Sequence, residues 1–154
     1  NLYAVGDVIG HPWLAHVSIS EGLYVDEHIA KLSPKKIDYD CVPACTYSKP
    51  EIGSIGLSQK ILDERGIDYK VVKSFFNANG KAVASDSTEG FIKILVSDRN
   101  QILGAHIIGS NATEMISEFS LAMSNNLSVE NILDSIHPHP TFSEAIFETL
   151  MQLR

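Results

Sequence analysis

The sequence predicts an α+β fold, in which helices pack on one side of an antiparallel β-sheet and a strand and a long helix precede that sheet. Short strand-like segments fill the middle of the chain, and amphipathic helical segments are gathered after them. This order favours an α+β architecture over a parallel, doubly wound sheet. The clearest signal is a β-hairpin, because segments 91–96 and 102–109 are rich in strand-forming residues and are joined by a polar turn.

The first 35 residues predict the preceding strand and helix. Residues 1–6 are a short apolar run that ends at Gly6-Asp7, which is typical of a buried strand leading into a loop. Pro12 suits the first turn of a helix, and apolar residues then recur over 13–32 until Ser33-Pro34 ends the pattern. A helix of about 20 residues would be roughly 30 Å long.

The remaining residues predict a second domain of short strands followed by helices. Ser58 can cap a short helix that Gly66 would end, and Asn125-Asn126 is typical of a left-handed helix end. The predicted strands are 41–46, 52–57, 69–76, 91–96 and 102–109, and the predicted helices are 59–65, 111–125, 128–136 and 143–153. We therefore expect two domains, 1–35 and 36–154.

The composition is that of a globular, mildly acidic protein. The chain has 154 residues, with 12 Lys and Arg against 19 Asp and Glu, and its formal charge is −7. This balance argues against a nucleic-acid partner or an anionic membrane surface, since both favour clustered basic residues. No apolar stretch approaches the roughly 20 residues of a membrane helix, and the first residues lack a signal-peptide pattern. We expect a soluble protein of the cytoplasm, or of the mitochondrial matrix if the source is eukaryotic.

The two cysteines, Cys41 and Cys45, are predicted to be reduced and structural. Pro43 lies between them, and the strand-forming residues that follow favour an extended backbone. Residues four apart on a strand are roughly 13 Å from each other, which is too far for a disulfide. With no other Cys, the chain cannot complete a four-thiolate zinc site, and we expect no metal. The alternative is a redox pair.

The most informative stretch for chemistry is His137-Pro138-His139-Pro140-Thr141, with Glu144 three residues further on. A proline restricts the residue before it to extended conformations, so both histidines must project from a loop. Thr141 and Glu144 fit a capping box, which would give Glu144 a structural role. The same carboxylate can also hold one nitrogen of a loop imidazole and leave the other nitrogen as a proton acceptor. The two roles are compatible, because Glu144 has two oxygens.

Several motifs resemble the dihydrolipoyl dehydrogenases, a family of flavin-dependent disulfide oxidoreductases. The resemblance runs from Asn1 to about Met151 and covers the C-terminal third of such enzymes, with the motifs in the family's order. The motifs are Tyr3-Ala4-Val5-Gly6-Asp7, Pro12-Trp13-Leu14-Ala15-His16, Tyr47-Ser48-Lys49-Pro50-Glu51, Gly104-Ala105-His106-Ile107-Ile108-Gly109 and His137-x-His139-Pro140-Thr141-x-x-Glu144. The resemblance implies that 1–35 is the end of an FAD-binding domain and that 36–154 is a dimerisation domain.

The resemblance also implies roles for individual residues. The residues that would contact FAD are Asp7, Trp13, Leu14, Ala15 and His16. The first of them would accept a hydrogen bond from the ribityl chain, and the other four would surround the flavin ring. His139, oriented by Glu144, would take the proton from a dihydrolipoamide thiol beside the flavin and redox disulfide of the other subunit of a homodimer. The bond between His139 and Pro140 would be cis, and His137 would either steer the loop or be a surface residue.

The parent enzyme would reoxidise protein-bound dihydrolipoamide with NAD, through FAD and a redox disulfide, and would serve the lipoyl domains of a 2-oxo acid dehydrogenase complex. The family's C-x4-C pair is missing from this sequence, and Cys41 and Cys45 have a different spacing. We therefore expect a fragment that is inactive alone and has weak or no affinity for FAD. Two alternatives stay open: the interface domain of another reductase, such as a glutathione reductase, and a non-catalytic dimerisation module.

Overall fold

The computed structural model describes residues 1–154, and the chain divides into two compact units, Asn1–Val42 and Pro43–Arg154. The first unit consists of a 3₁₀ turn at Gly6–Ile9, helix α1 at Ala15–Ile29 and a second 3₁₀ turn at Tyr39–Cys41. None of the helices combines the length and the apolar character that crossing a membrane requires.

Residues 1–6, predicted as a strand of the FAD-binding domain, pair with no strand of this chain. Val5 has an extended backbone, but no neighbouring strand pairs with this segment, and a strand needs such a partner for its backbone hydrogen bonds. Helix α1 has 15 residues and is shorter than predicted. It starts at Ala15 because Leu14 is still extended, and it stops before Lys31, whose φ is 62°.

Helix α1 buries few of its own side chains. Val17 and Glu21, one turn apart, are its two buried positions, whereas large apolar side chains elsewhere on the helix are exposed. The Glu21 carboxylate has two donors: the backbone N–H of Gly6 lies 2.6 Å from Oε2, and the Tyr39 hydroxyl lies 2.8 Å from Oε1. Glu21 therefore joins the helix to both 3₁₀ turns of this unit.

The second unit is built around an antiparallel sheet. Its strands are β1 (Ala44–Thr46), β2 (Ile52–Gly56), β3 (Lys70–Phe75), β4 (Gly90–Val96) and β5 (Ile102–Gly109). Its helices are α2 (Gln59–Arg65), α3 (Gly80–Ala84), α4 (Ala112–Ser124), α5 (Val129–Leu133) and α6 (Glu144–Leu150). The strands lie in the order β1-β2-β5-β4-β3, and every neighbouring pair is antiparallel. The predicted α+β fold and its β4–β5 hairpin are confirmed.

One face of the sheet carries the hydrophobic core. Helix α4 packs on β2 and β5, and helix α6 packs on β3 and β4. The largest buried side chains that meet there include Ile94, Ile107, Ile116, Phe119 and Ile146. Lys93 points to the opposite face, because side chains alternate along a strand, and its Nζ donates to Gln59 of α2 at 3.1 Å. Helices α4 and α6 therefore cover one face, while α2 lies at the other.

Local signals account for where several elements begin and end. Ser58 Oγ accepts the Ile61 N–H at 3.3 Å, and Gly66 ends α2 in the left-handed conformation, as predicted. Strand β1 is shorter than the predicted 41–46, because Asp38 accepts the Asp40 N–H and starts a 3₁₀ turn there instead. The last two helices are also shorter than predicted, and α6 continues into a 3₁₀ turn at Met151–Leu153.

Two glycines stand opposite each other where the β4–β5 hairpin opens. Gly90 and Gly109 are direct partners in the ladder, and both have positive φ, 110° and 149°. A Cβ on Gly109 would come within 2.6 Å of the Phe76 ring, and a Cβ on Gly90 would collide with the Ile108 carbonyl oxygen. Only residues without a Cβ fit this pair of positions.

Candidate functional site

The loop between α5 and α6 brings His139 and Glu144 together. Nδ1 of His139 lies 2.8 Å from Oε1 of Glu144, which is hydrogen-bond distance. The bond between His139 and Pro140 is cis, as the resemblance implied. The His139 side chain is 77% exposed, so its other nitrogen, Nε2, is open to a reactant.

Both oxygens of Glu144 are used. While Oε1 faces the imidazole, Oε2 accepts the backbone N–H of Thr141 at 2.8 Å. This is one half of the predicted capping box, and the other half is not formed. The Thr141 hydroxyl donates instead to the Pro138 carbonyl at 2.7 Å, because the helix begins only after Ser143. Glu144 therefore fixes the loop and the imidazole at the same time.

The electrostatics of this pair favour a proton acceptor at the exposed nitrogen. The N–H of Thr141 and, after it, the hydrogen bond to His139 hold the pKa of Glu144 below its usual value. An ionised carboxylate accepts only, so Nδ1 of His139 must carry the proton that is donated to it. In the neutral ring, Nε2 then keeps its lone pair, and the neighbouring carboxylate stabilises the imidazolium that forms when Nε2 takes a proton. The hydrogen positions follow from this network.

Replacing Glu144 by Gln is expected to reverse the position of the proton on His139. Gln has one carbonyl oxygen, and if this keeps the Thr141 N–H, the NH₂ group faces Nδ1. Nδ1 must then accept, so the neutral ring carries its proton on Nε2. The ¹⁵N chemical shifts of the labelled ring measure the tautomer. Glu148→Gln on the same helix is the control, and an unchanged tautomer in Glu144→Gln would contradict the contact.

The lowered pKa of Glu144 also predicts a pH dependence of stability. A carboxylate whose folded pKa lies below its ordinary value of 4.5 stabilises the fold above that value and loses this contribution as the pH falls through the folded pKa. The difference in melting temperature between wild type and Glu144→Gln should therefore be largest near neutral pH and should shrink below about pH 4. Thermal melts at a series of pH values measure this difference. A gap that widens toward acid pH would argue against a stabilising carboxylate.

The second histidine of the loop, His137, is not a surface residue. Its side chain is 9% exposed, and its Nε2 lies 2.9 Å from Oε1 of Glu118 on α4. Its Nδ1 lies 3.3 Å from the Ser135 carbonyl, and its ring packs against Phe147 of α6 with the ring centroids 6.0 Å apart. Sequence patterns carried no sign of the Glu118 contact, since the two residues lie 19 positions apart.

Two clefts flank the loop. One, of about 410 Å³, lies on the α4 side and is lined by Glu114, Glu118, Thr141 and Ser143 among others. The other, of about 420 Å³, is lined by His137, Glu144 and Phe147 among others. The acid–base pair therefore stands beside concave surfaces on the sheet domain.

The predicted cofactor residues lie in the first unit, close together along the chain. Asp7 is exposed in the 3₁₀ turn, and Trp13 is 61% exposed, with its ring stacked on His11 at a centroid distance of 4.0 Å. Leu14 is the residue before α1, and Ala15 and His16 are its first two residues. Sequence reasoning missed Glu21, which holds the backbone N–H beside Asp7. The one sequence signal for Glu21 was its position four residues after Val17, which places both side chains on the same face of the helix.

These residues have the chemistry that a flavin nucleotide needs. The Asp7 carboxylate can accept hydrogen bonds from sugar-like hydroxyls. Leu14, the residue before α1, makes no side-chain cap hydrogen bond, and the positive end of the helix dipole favours an electron-rich group near it. The Asp7 turn is held in place by the Glu21 contact to Gly6.

The two cysteines are free thiols in different settings. Cys41 was predicted to lie on a strand, but it lies in the second 3₁₀ turn, where its Sγ donates to Asp38 at 3.3 Å. Cys45 lies on strand β1. Burial, and after it the hydrogen bond to Asp38, raises the pKa of the Cys41 thiol to about 11. Burial also raises the pKa of the Cys45 thiol, so neither is an activated nucleophile.

Alkylation of Cys41 is expected to be slow. A thiol with a pKa of about 11, against an ordinary 9.0, has roughly 100-fold less thiolate near pH 8. Labelling with iodoacetamide, followed by mass spectrometry of the peptides, gives the rate. The same protein unfolded in urea supplies the reference, and equal rates in the two states would refute the raised pKa.

Comparisons with known proteins agree with this description. The family of pyridine nucleotide-disulphide oxidoreductase dimerisation domains matches residues 42–150. The chain is 43% identical over 152 residues to dihydrolipoyl dehydrogenase from Bacillus subtilis, covering 98% of the chain and 32% of that protein. It is 44% identical over 149 residues to the human mitochondrial dihydrolipoyl dehydrogenase, covering 96% of the chain and 29% of that protein. The resemblance seen in the sequence is therefore confirmed, and the chain spans about 30% of the length of these relatives.

Solved structures give the same result. LpdA from Mycobacterium tuberculosis superimposes with a TM-score of 0.93 at 25% identity, over 99% of this chain and 33% of that one. The HOCl-induced flavoprotein disulfide reductase RclA from Escherichia coli gives a TM-score of 0.89 at 25% identity, over 100% of this chain and 36% of that one. The fold, the loop and the sequence matches lead to one conclusion: the chain belongs to the family of pyridine nucleotide-disulphide oxidoreductase dimerisation domains.

Proposed function

We propose that the chain is the C-terminal part of an NAD-dependent dihydrolipoyl dehydrogenase, which reoxidises protein-bound dihydrolipoamide. The observation that carries the proposal is the contact of His139 Nδ1 with Glu144 Oε1 at 2.8 Å, in a ring that is 77% exposed. Identities of 43–44% to dihydrolipoyl dehydrogenases over nearly the whole chain support it. Residues 1–35 are then the end of the FAD-binding domain, and 36–154 form the dimerisation domain.

In this reaction the acid–base pair activates a thiol. Nε2 of His139 takes the proton from a dihydrolipoamide thiol, and the resulting thiolate is the species that attacks a disulfide. Glu144 stabilises the imidazolium through Nδ1, and the Thr141 N–H keeps the carboxylate in place. In the reverse step the imidazolium returns the proton to a thiolate that leaves.

The first unit is proposed to contact FAD, which when bound would accept electrons from the reduced, dithiol form of the redox disulfide. Asp7 would bind the ribityl hydroxyls, and Trp13, Leu14, Ala15 and His16 would line the ring. The sequence contains no C-x4-C pair. On its own the chain should therefore show no turnover and weak or no FAD affinity.

The acid–base pair is proposed to serve the other subunit of a homodimer. The family match to a dimerisation domain supports this. Light scattering over a dilution series should give about twice 16.9 kDa for this chain. A monomer at every concentration would contradict self-association. The further partners would be lipoyl domains, in a bacterial cytoplasm or a mitochondrial matrix.

A chimera tests the activity directly. The matching third of the Bacillus subtilis enzyme is replaced by this chain, and NAD reduction by dihydrolipoamide is measured against the parent enzyme. The proposal predicts that the acid–base pair is correctly placed in the chimera, so turnover should lie within about tenfold of the parent. A misplaced catalytic group would cost up to roughly 10²-fold. A folded, FAD-loaded chimera without turnover would refute it. Activity with glutathione but not with dihydrolipoamide would favour the glutathione reductase-like alternative.

A further inference from the structure

His137 and Glu118 stand out because a nearly buried imidazole meets a carboxylate next to an exposed loop, the two side chains being 9% and 30% exposed. From Asp134 to Pro140 every other residue is exposed, so His137 is the single internal point at which this stretch enters the protein. Ile136, the residue before it, is 98% exposed and anchors nothing here. Asp134 and Ser135 stay bonded to α5 through their backbone N–H groups, and beyond them the N-terminal side of the loop is held through His137.

The contacts of His137 reach α4 and α6, the two helices that pack on the sheet. Nε2 lies 2.9 Å from Glu118 Oε1 on α4, and the ring packs on Phe147 of α6. Nδ1 faces the Ser135 carbonyl at 3.3 Å, so both ring nitrogens meet oxygen acceptors. Whichever nitrogen carries the proton can donate to the oxygen that it faces, so the ring has a hydrogen-bond partner in either tautomer.

The C-terminal side of the loop is fixed separately. Glu144 holds the Thr141 N–H, and the Thr141 hydroxyl holds the Pro138 carbonyl. These contacts join residues of the loop to one another and to the start of α6. The contact of His137 with Glu118 is the polar side-chain bond between this loop and α4.

We propose that Glu118 and His137 are positioning residues, which hold the loop so that the His139 ring stays on Glu144. The proposal rests on the proposed function, in which His139 is the proton acceptor. Neither residue needs to touch the substrate. Loss of the Glu118 contact frees the segment before His139, and the ring then spends less time with Nδ1 on the carboxylate.

The test uses the 154-residue chain and two readouts of the loop. The first is hydrogen exchange of the Thr141 amide, whose N–H is bonded to Glu144. The second is the tautomer of His139, from the ¹⁵N shifts of its ring. Glu118→Ala should speed Thr141 exchange about tenfold or more and move the ring away from the Nδ1–H form. A purely structural role of Glu118 would lower the melting temperature without moving the tautomer.

Three further variants make the test specific. Glu114→Ala removes the same charge one turn earlier on α4 and should leave both readouts unchanged. Glu118→Gln keeps an acceptor at the same reach and should restore part of the protection. If Glu118→Ala does not fold, His137→Phe keeps a ring against Phe147 but donates no hydrogen bond, and it should have the same effect. Wild-type exchange and tautomer in a folded Glu118→Ala or His137→Phe chain would overturn the proposal.

The readouts separate this proposal from the proposed function. Neither needs FAD, NAD or a thiol substrate, so they report positioning even if His139 takes no part in catalysis. In the chimera, Glu118→Ala should lower kcat by up to roughly 10²-fold, with a smaller effect on KM. If Glu118→Ala loosens the loop but His139→Gln keeps full activity in the chimera, the proposed function is wrong. The positioning role of Glu118 and His137 would still stand.

Discussion

His139→Gln in the chimera is expected to lower dihydrolipoamide-dependent NAD reduction by about 10²–10⁴, the usual effect of removing a general base. Gln can form hydrogen bonds but cannot take a proton from a thiol at neutral pH. The contact of Nδ1 with Glu144 shows that the ring is held with Nε2 outward, which is the geometry that this role requires. The measurement is the steady-state rate at saturating NAD, with FAD content and circular dichroism as checks on folding.

Two controls make the loss interpretable. His28→Gln changes an exposed histidine of α1 in the same way and should leave the rate within about twofold. Electron transfer from NADH to a dye needs no deprotonated dihydrolipoamide thiol, so it should be unaffected in the His139→Gln chimera. A variant that keeps the wild-type dihydrolipoamide rate would show that another group is the base.

Phe119→Ala is expected to lower the free energy of unfolding by about 3–5 kcal/mol, which is the usual cost of removing a buried aromatic ring. Phe119 is fully buried on α4, the helix that packs on β2 and β5. No smaller side chain could fill the space between that helix and the sheet. Urea unfolding followed by circular dichroism measures the change.

The same helix supplies the matched control. Leu121 is 64% exposed two residues further on, and Leu121→Ala should change the free energy of unfolding by no more than about 0.5 kcal/mol. A loss below about 1 kcal/mol for Phe119→Ala would mean that the α4 packing contributes less than the burial indicates.

The parts of the structure that the sequence predicted well depend on nearby residues. The β4–β5 hairpin and the α2 helix follow from local patterns, and Ser58 and Gly66 act within four residues of their partners. His139 and Glu144 are five residues apart, so their contact could be expected from the loop and the helix start alone. In such cases the short chain between the groups limits where they can be.

The predictions that failed, and the contacts that were missed, depend on residues far apart in the chain. Strand β1 begins at Ala44 and not at Cys41, because the path of the chain before it forms a 3₁₀ turn at Tyr39–Cys41. His137 meets Glu118 only because α4 and the loop pack side by side, and Glu21 meets Gly6 and Tyr39 only through the path of the chain around α1. Periodicity and capping rules describe one element at a time and carry no information about such contacts.

The facing glycines at the open end of the hairpin limit how this domain can change over time. Every single-nucleotide change of a glycine codon that is not synonymous gives a stop or a residue with a Cβ, and a Cβ at Gly90 or Gly109 meets the Ile108 carbonyl or the Phe76 ring. A single-nucleotide substitution that replaces either glycine therefore forces the group it meets to move. We therefore expect glycine to be retained at both positions of the Gly90–Gly109 pair, even where the neighbouring loops change in length or composition.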